Sequence, residues 1–297
     1  MGHTALPKSP ARVAVSFDDA VAAQTFLDRA NFSPGCIDGR WGPRSVATLK
    51  SWQNSEGLRA TGELDVPTRA RLGMTNRTLT VHVVTLDDVE ALAPIPPTWT
   101  GKAAAARLGY ATVLELVAEQ YHTTERLVGE LNPGVAWPDP PPGTALAVPD
   151  PQPSPRVAAA RLTISLGRKV VEAWDAKGRC VASFPCSIAA DKNKRPRGEL
   201  IVARAAKDPN YTFDPAVYPE DEEARSIGKR LLLPPGPNNP VGVAWIGLNL
   251  PGYGVHGTPK PEDIGKTESH GCFRLANWNA EKLLKLVTIG MPVVVRE

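Results

Sequence analysis

The spacing of apolar positions divides the chain into three differently built stretches. Phe17, Ala20, Val21, Phe26 and Leu27 recur at helical spacing, with Ser16 or Asp18 placed to cap the helix. The turn cluster Ser33-Pro34-Gly35, then Ile37-Asp38-Gly39-Arg40-Trp41-Gly42, breaks it before a second helix carrying Val46, Leu49 and Trp52. A third short helix is predicted from Val66 to Leu72. In the middle stretch Thr80 to Val84 alternates like a strand, and Thr112 to Tyr121 has helical spacing. Thr123 or Thr124 is placed to cap a helix reaching Leu131, and Ala145 to Pro149 reads as a closing strand. Beyond it, Arg161 to Leu166 and Lys169 to Trp174 read as strands joined at Gly167. Further strands are predicted around Val181, Ile201, Trp245 and Val293 to Val295, with one helix from Asn279 to Val287 capped by Asn277 or Asn279.

This pattern predicts a multidomain α+β protein with units at 17–76, 78–150 and 157–297: a three-helix unit, a βααβ unit and a mostly-β unit. The 30 prolines are about twice average usage, and they cluster at Pro94 to Pro97 and from Pro133 to Pro155. Such joints are semi-rigid, so the units are expected to be spaced rather than fused. With 34 basic and 31 acidic residues the net charge is +3, too near neutral and too scattered for a nucleic-acid partner. No run approaches 18 apolar residues, so no transmembrane helix is expected. Cys180 and Cys186 lie on one predicted strand about 20 Å apart, too far for a local disulfide without a turn at Pro185. Free thiols are expected there, and Cys36 reads as a small packed residue.

The chemistry concentrates near the C-terminus. Gly254-Val255-His256-Gly257-Thr258 is followed, after a polar loop, by Ser269-His270-Gly271-Cys272-Phe273-Arg274. A lone cysteine is usually a small hydrophobe, but this segment brings a thiol, two imidazoles and a guanidinium together. Cysteine attacks as thiolate, and a neighbouring imidazole is expected to lower its pKa enough to populate that form near neutral pH. Gly271 leaves room for a substrate carbonyl and allows backbone dihedrals that aim successive N–H groups at one oxyanion.

The segment resembles the catalytic motif of the L,D-transpeptidases of the YkuD type: His, a loop, then Ser/Thr-His-Gly-Cys. Arg195-Pro196-Arg197-Gly198-Glu199-Leu200 is similar to the family's Thr-Pro-x-Gly-x-Phe segment, departing at Arg195 and Leu200, and Asn239 to Leu248 resembles the strand leading to the catalytic histidine. The resemblance covers about 157–297. It implies Cys272 as nucleophile, His256 as its base, the Gly257 carbonyl as the group orienting the imidazole, and His270 and Gly271 as shapers of the nucleophile turn. Arg274, Ser269, Thr258 and Tyr253 are the implied substrate-binding residues. Arg274 stands where some members carry Asn, and it either pairs with a substrate carboxylate or ties down the loop at Asp263 and Glu268.

The first unit resembles the three-helix peptidoglycan-binding domain through Asp38-Gly39-Arg40-Trp41-Gly42 and Gln53-Asn54-Ser55-Glu56-Gly57-Leu58, with Trp41 and Trp52 either core or sugar platforms. The middle unit is similar to a LysM domain over Leu114 to Pro133 and Gly143 to Leu146. An insertion from Leu86 to Leu108 departs from that pattern, so glycan binding and a spacer role both stand open. His82 and His122 read as surface or packing groups. In the polar insertion from Asp208 to Leu233, the run Glu220-Asp221-Glu222-Glu223 is either a solvated face or part of a lid.

The implied reaction is acyl transfer between peptidoglycan stem peptides through a thioester on Cys272, with no metal and no cofactor. The implied partners are stem peptides and glycan, not nucleic acid. The implied place is the cell envelope, in the periplasm or cell wall. Met1 to Lys8 lacks the apolar core of an export signal, so that signal is expected to have been removed. Two alternatives are an inactive wall-anchoring protein and an L,D-carboxypeptidase using water. A papain-like protease is excluded by order, since there the cysteine precedes the histidine.

Overall fold

A computed structural model describes residues 14–74, 78–152, 154–266 and 271–297. The first unit holds three helices: α1 (Phe17–Arg29), α2 (Pro43–Ser55) and α3 (Val66–Leu72). Ser16 and Asp65 cap α1 and α3 by accepting from Asp19 N and Thr68 N, and Gly73 closes α3 in the left-handed conformation that suits glycine. Leu27, Phe32, Leu49, Trp52 and Leu72 form its core. Trp52 is only 4% exposed, so of the two candidate sugar platforms only the half-buried Trp41 can meet a ligand.

The middle unit pairs β1 (Leu79–Val83) antiparallel with β2 (Ala145–Pro149). Between them lie α4 (Leu86–Glu90), α5 (Trp99–Ala104), α6 (Val113–Gln120) and α7 (Glu125–Leu131). The strand–helix–helix–strand framework is thus β1–α6–α7–β2, and the insertion folds into α4 and α5. Thr112 and Thr124 cap α6 and α7. His82 is a packing group, bonded to the Tyr121 hydroxyl at 3.2 Å and lying 3.3 Å from Asp88.

The third unit consists of β3 (Arg161–Ser165), β4 (Val170–Trp174), β5 (Cys180–Pro185), β6 (Gly198–Lys207), β7 (Tyr211–Phe213), α8 (Glu222–Ile227), β8 (Leu231–Leu233), β9 (Ala244–Leu248), β10 (Gly254–His256), β11 (Phe273–Arg274), α9 (Asn277–Leu284) and β12 (Pro292–Arg296). Eight of these strands form one mixed sheet in the order β11-β10-β9-β6-β12-β3-β4-β5, while β7 and β8 form a separate hairpin flap. The C-terminal strand β12 runs parallel to β3 and antiparallel to β6, which joins the two halves of the sheet. The sheet's core face buries Leu162, Ile164, Phe184, Val255, Phe273 and Val293, each worth about 1.5–3 kcal/mol. Helix α9 covers it and begins at Asn277, two residues before the expectation. Its N-cap is Ala276, with no side-chain cap, because the Asn277 side chain is used elsewhere.

The expectation of spaced units is overturned. Residues 31–33 of the first unit add to β5, with Ser33 N donating to Ser183 O and Ser183 N to Asn31 O, both at 2.9 Å. That covers an edge strand whose free N–H and C=O groups would otherwise invite pairing with another chain. Ile37 donates from its N–H to His122 O at 2.8 Å, joining the first and middle units. Gly236 lets the third unit approach the middle one: a Cβ there would sit 2.0 Å from Leu108 O. Prolines make the joints stiff, but the surfaces on either side of each joint are complementary and bury against one another.

At the centre of this assembly Asp28 of α1 is fully buried. Its Oδ2 lies 2.7 Å from His122 Nδ1 and 2.7 Å from Lys282 Nζ, so one carboxylate is held by the middle unit and by α9 together. The charge on Lys282 and the bond from His122 outweigh desolvation and hold the Asp28 carboxyl far below its usual range. Burial keeps the His122 pKa low, so His122 is a neutral donor and Lys282 the cation. Removing one partner from a buried pair strands the other, and Asp28→Ala is expected to destabilise the protein by about 3–5 kcal/mol, read as a fall in urea midpoint. A midpoint within error of wild type would show that the pair holds nothing together.

Candidate active site

Strand β10 is the short element on which the site is built. It runs antiparallel to β9, pairing His256 with Trp245, and parallel to β11, pairing His256 with Arg274. Strand alternation turns Val255 into the core, and His256 faces the Trp245 ring, stacked at 5.5 Å and 21°. Gly254 makes this possible, since a Cβ there would lie 2.7 Å from Trp245 Cζ2. Leu275 N donates to His256 O at 2.8 Å and fixes the strand end.

His256 Nδ1 lies 2.6 Å from the carbonyl oxygen of Gly257. A carbonyl only accepts, so the neutral ring carries its hydrogen on Nδ1 and presents Nε2 as a base. Burial lowers the imidazole pKa to about 4; the Gly257 bond opposes this shift and the Arg274 charge adds to it.

Cys272 lies immediately before β11 and is half-buried. Its Sγ donates to Gly252 O at 3.3 Å and accepts from the Gly254 N–H. Burial raises the thiol to about 11 despite that N–H and the Arg274 charge, both of which favour thiolate. The expectation of a thiolate populated at neutral pH is therefore overturned: a neutral imidazole supplies no positive charge, and desolvation prevails. At rest the pair is thiol and imidazole.

Around it, Gly271 faces the Tyr253 ring, with room for ordinary contact at 3.8 Å from Cε1. Tyr253 closes the β9–β10 turn, its N–H donating to Leu250 O and its carbonyl accepting from Leu248 N. Thr258 is buried and its hydroxyl accepts from Lys260 N at 3.3 Å, which commits it to a turn. Arg274 is half-buried, pairs through its backbone with Ser187, and lies near the Asp263 carboxylate and the Cys272 thiol; burial lowers its pKa. Ser269, His270 and Glu268 lie outside the described residues. Cys36, Cys180 and Cys186 are also free, and burial raises all three thiols.

Of the two alternatives left open for the insertion from Asp208 to Leu233, the structure shows a packed flap. Tyr211 and Tyr218 share a 2.8 Å hydrogen bond, and Cys272 lies near both phenols. The acidic run is more than a solvated face: Glu223 accepts from Trp99 N at 2.8 Å and Thr100 N at 3.1 Å, and Asp221 from Trp99 Nε1 at 3.0 Å. The aromatic residues spaced through an otherwise polar insertion were the available signal.

Residues 159–295 match the family model of the YkuD L,D-transpeptidase catalytic domain, and residues 18–72 that of a putative peptidoglycan binding domain. The C-terminal unit is thus similar to the L,D-transpeptidase catalytic domain. A putative L,D-transpeptidase YkuD of Bacillus licheniformis is 25% identical over 180 residues, spanning 61% of this chain and 91% of the relative. A putative L,D-transpeptidase of Fuscovulum blasticum is 31% identical over 120 residues, 40% of this chain and 60% of that one. Among solved structures, L,D-transpeptidase 3 of Mycobacterium tuberculosis has a TM-score of 0.37 at 18% identity, covering 52% of this chain and 76% of that one. An Enterococcus faecium L,D-transpeptidase has a TM-score of 0.35 at 16% identity, covering 48% of this chain and 52% of that one, so the match spans about half its length.

A neutral thiol pair has a testable signature. Alkylation of Cys272 by iodoacetamide, followed by peptide mass mapping, is expected to climb steadily through pH 9 toward the thiol pKa of about 11. A plateau reached below pH 8 would mean that a stabilised thiolate is present.

Proposed function

We propose that the protein is a peptidoglycan L,D-transpeptidase that works through a thioester on Cys272. The observation that supports this reading is the placement of His256, its Nδ1 engaged by Gly257 O, on β10 beside β11, the strand that Cys272 immediately precedes. With the resting pair neutral, proton transfer accompanies attack. Cys272 Sγ bonds to the carbonyl carbon of the stem's third residue while His256 Nε2 takes the thiol proton. Backbone N–H groups at the Gly271–Cys272 turn receive the oxyanion. The tetrahedral adduct collapses, the C–N bond to the terminal D-alanine breaks, and His256 returns the proton to the departing amine. An amine of a second stem then attacks the thioester, loses its proton to His256 and releases the thiol, leaving an amide between two third residues.

The first unit, by its family match, supplies the affinity for peptidoglycan, and the envelope is where such a substrate is met. Arg274 is the residue assigned to a substrate carboxylate, and Tyr253, with Ser269, to the approach of the stem. His270 and Gly271 shape the nucleophile turn. Thr258 acts by holding the turn after Gly257.

The test is intact-mass spectrometry of wild type and Cys272→Ala after incubation with a disaccharide-tetrapeptide muropeptide. A thioester on wild type alone, with cross-linked dimer, is the expected result. Tripeptide without dimer would replace transfer by carboxypeptidase activity, and no adduct or product would leave a wall-binding protein. A carbapenem is expected to acylate wild type but not Cys272→Ala. His256→Ala is expected to slow acylation by about two to four orders of magnitude in stopped-flow traces; an unchanged rate would remove it as the base.

A further inference from the structure

Behind Gly257, whose carbonyl engages His256, one buried side chain packs against the Cα. Asn277, the first residue of α9 and only 1% exposed, wedges its Oδ1 between two glycines. A Cβ on Gly242 would lie 1.9 Å from that oxygen, and one on Gly257 2.2 Å from it, so both Cα atoms pack directly on the amide. The same Oδ1 accepts from Val243 N at 3.3 Å. Only the oxygen end of the amide suits this place, because an NH2 group there would face the Val243 N–H.

The opposite end of the amide meets acceptors alone. Asn277 Nδ2 donates to Pro237 O at 3.1 Å and to Glu119 Oε1 and Oε2 at 3.0 Å each. Glu119 belongs to α6 of the middle unit, and the Tyr110 hydroxyl holds it at 3.2 Å. Burial, with Glu115 on its own helix and Glu281 on α9 nearby, raises the Glu119 pKa to about 8. Retaining a carboxyl in such a place is costly unless its hydrogen bonds are needed.

We propose that Glu119 is a positioning residue for His256, fixing the orientation of the Asn277 amide and through it the Gly257 carbonyl. The support of the imidazole thus crosses a boundary between units. The inference rests on the reading of His256 as the base. Loss of the Glu119 acceptor leaves the amide held only by Val243 N–H and Pro237 O, so it shifts, the Gly257 peptide shifts with it, and Nδ1 loses its partner. The neutral imidazole then populates both tautomers, and the half carrying hydrogen on Nε2 cannot take a proton from Cys272.

The experiment uses the full chain and two readouts. Stopped-flow acylation by a carbapenem gives the maximal rate and the half-saturating concentration, and long-range 15N–1H spectra, assigned with His256→Gln, give the His256 tautomer. Glu119→Ala is expected to lower the maximal rate about 10- to 100-fold with unchanged half-saturation, and to convert an Nδ1–H ring into a mixture. Glu119→Gln keeps an acceptor and a neutral head, and is expected to return the rate to within about twofold of wild type. If the Ala variant does not fold, Asn277→Asp keeps the shape, removes the Nδ2 donor and is expected to show the same losses. A wild-type rate and tautomer in Glu119→Ala, or in Asn277→Asp where that replaces it, would overturn the proposal. So would a rate loss with an unchanged tautomer, or one that Gln does not restore. Failure of wild type to acylate would instead strike the thioester chemistry, while the tautomer comparison would still decide the role of Glu119.

Discussion

The buried Asp28 carboxylate is the constraint on which the arrangement of the molecule depends. A charge removed from water costs several kcal/mol unless partners are supplied, and here each comes from a different unit. His122 of the middle unit donates to it, and Lys282 of α9 pairs with it, both at 2.7 Å. Neither isolated pair of units supplies both partners of Oδ2, so the geometry favours the state with all three docked. Trp278 extends the same contact by stacking on His122 at 5.2 Å and 9°.

Helix α9 is consequently more than a cover for the sheet. Along two turns it presents Asn277 to Glu119, Trp278 to His122, Asn279 to Ser33 and Lys282 to Asp28. Its first residue also abuts Gly242 and Gly257 behind the strand that carries His256. One rigid element therefore connects the seams between units to the backbone that holds His256. Burial around this scaffold also explains the resting state of the site: the same dry packing that fixes the imidazole pushes both members of the pair toward their neutral forms.

Much of this was legible in the sequence where local physics decides. Ser16, Asp65, Thr112 and Thr124 cap helices because their side chains replace a missing carbonyl partner, and that preference shows in the residue type alone. The strands of the sheet carried the β-branched runs that a pleated, buried surface selects. The motif spacing placed His256 and Cys272 on two short segments, and these lie side by side because β10 pairs with β11. What the sequence hid was long-range. Asp28 stands 94 positions from His122 and 254 from Lys282, and in the sequence His122 reads only as a surface or packing group while the other two are ordinary polar residues on amphipathic helices. The start of α9 was misplaced for a related reason: Asn277 has the right chemistry for a cap but spends it on Glu119 and Pro237. The thiol pKa went the wrong way because motif reasoning counts neighbours and not burial.

The middle unit's insertion shows how a departure from a family pattern can be a feature of the assembly. Trp99 at the start of α5 stacks on Phe213 of the flap at 4.2 Å and 18°, and lies 5.4 Å from Tyr218. Its backbone N–H and that of Thr100, which α5 cannot satisfy internally, are taken by Glu223 of α8, while Thr98 bonds to Gly101 N. An anionic side chain at a helix N-terminus is favoured by the helix dipole as well as by the hydrogen bonds. The acidic run and the insertion therefore satisfy each other, and the flap bearing Tyr211 and Tyr218 is anchored from the middle unit. A shorter loop between β1 and α6 would lack Trp99 and leave that aromatic face of the flap uncovered. The added length is thus accounted for by the flap it holds, on the side of the third unit where Cys272 lies near those two phenols.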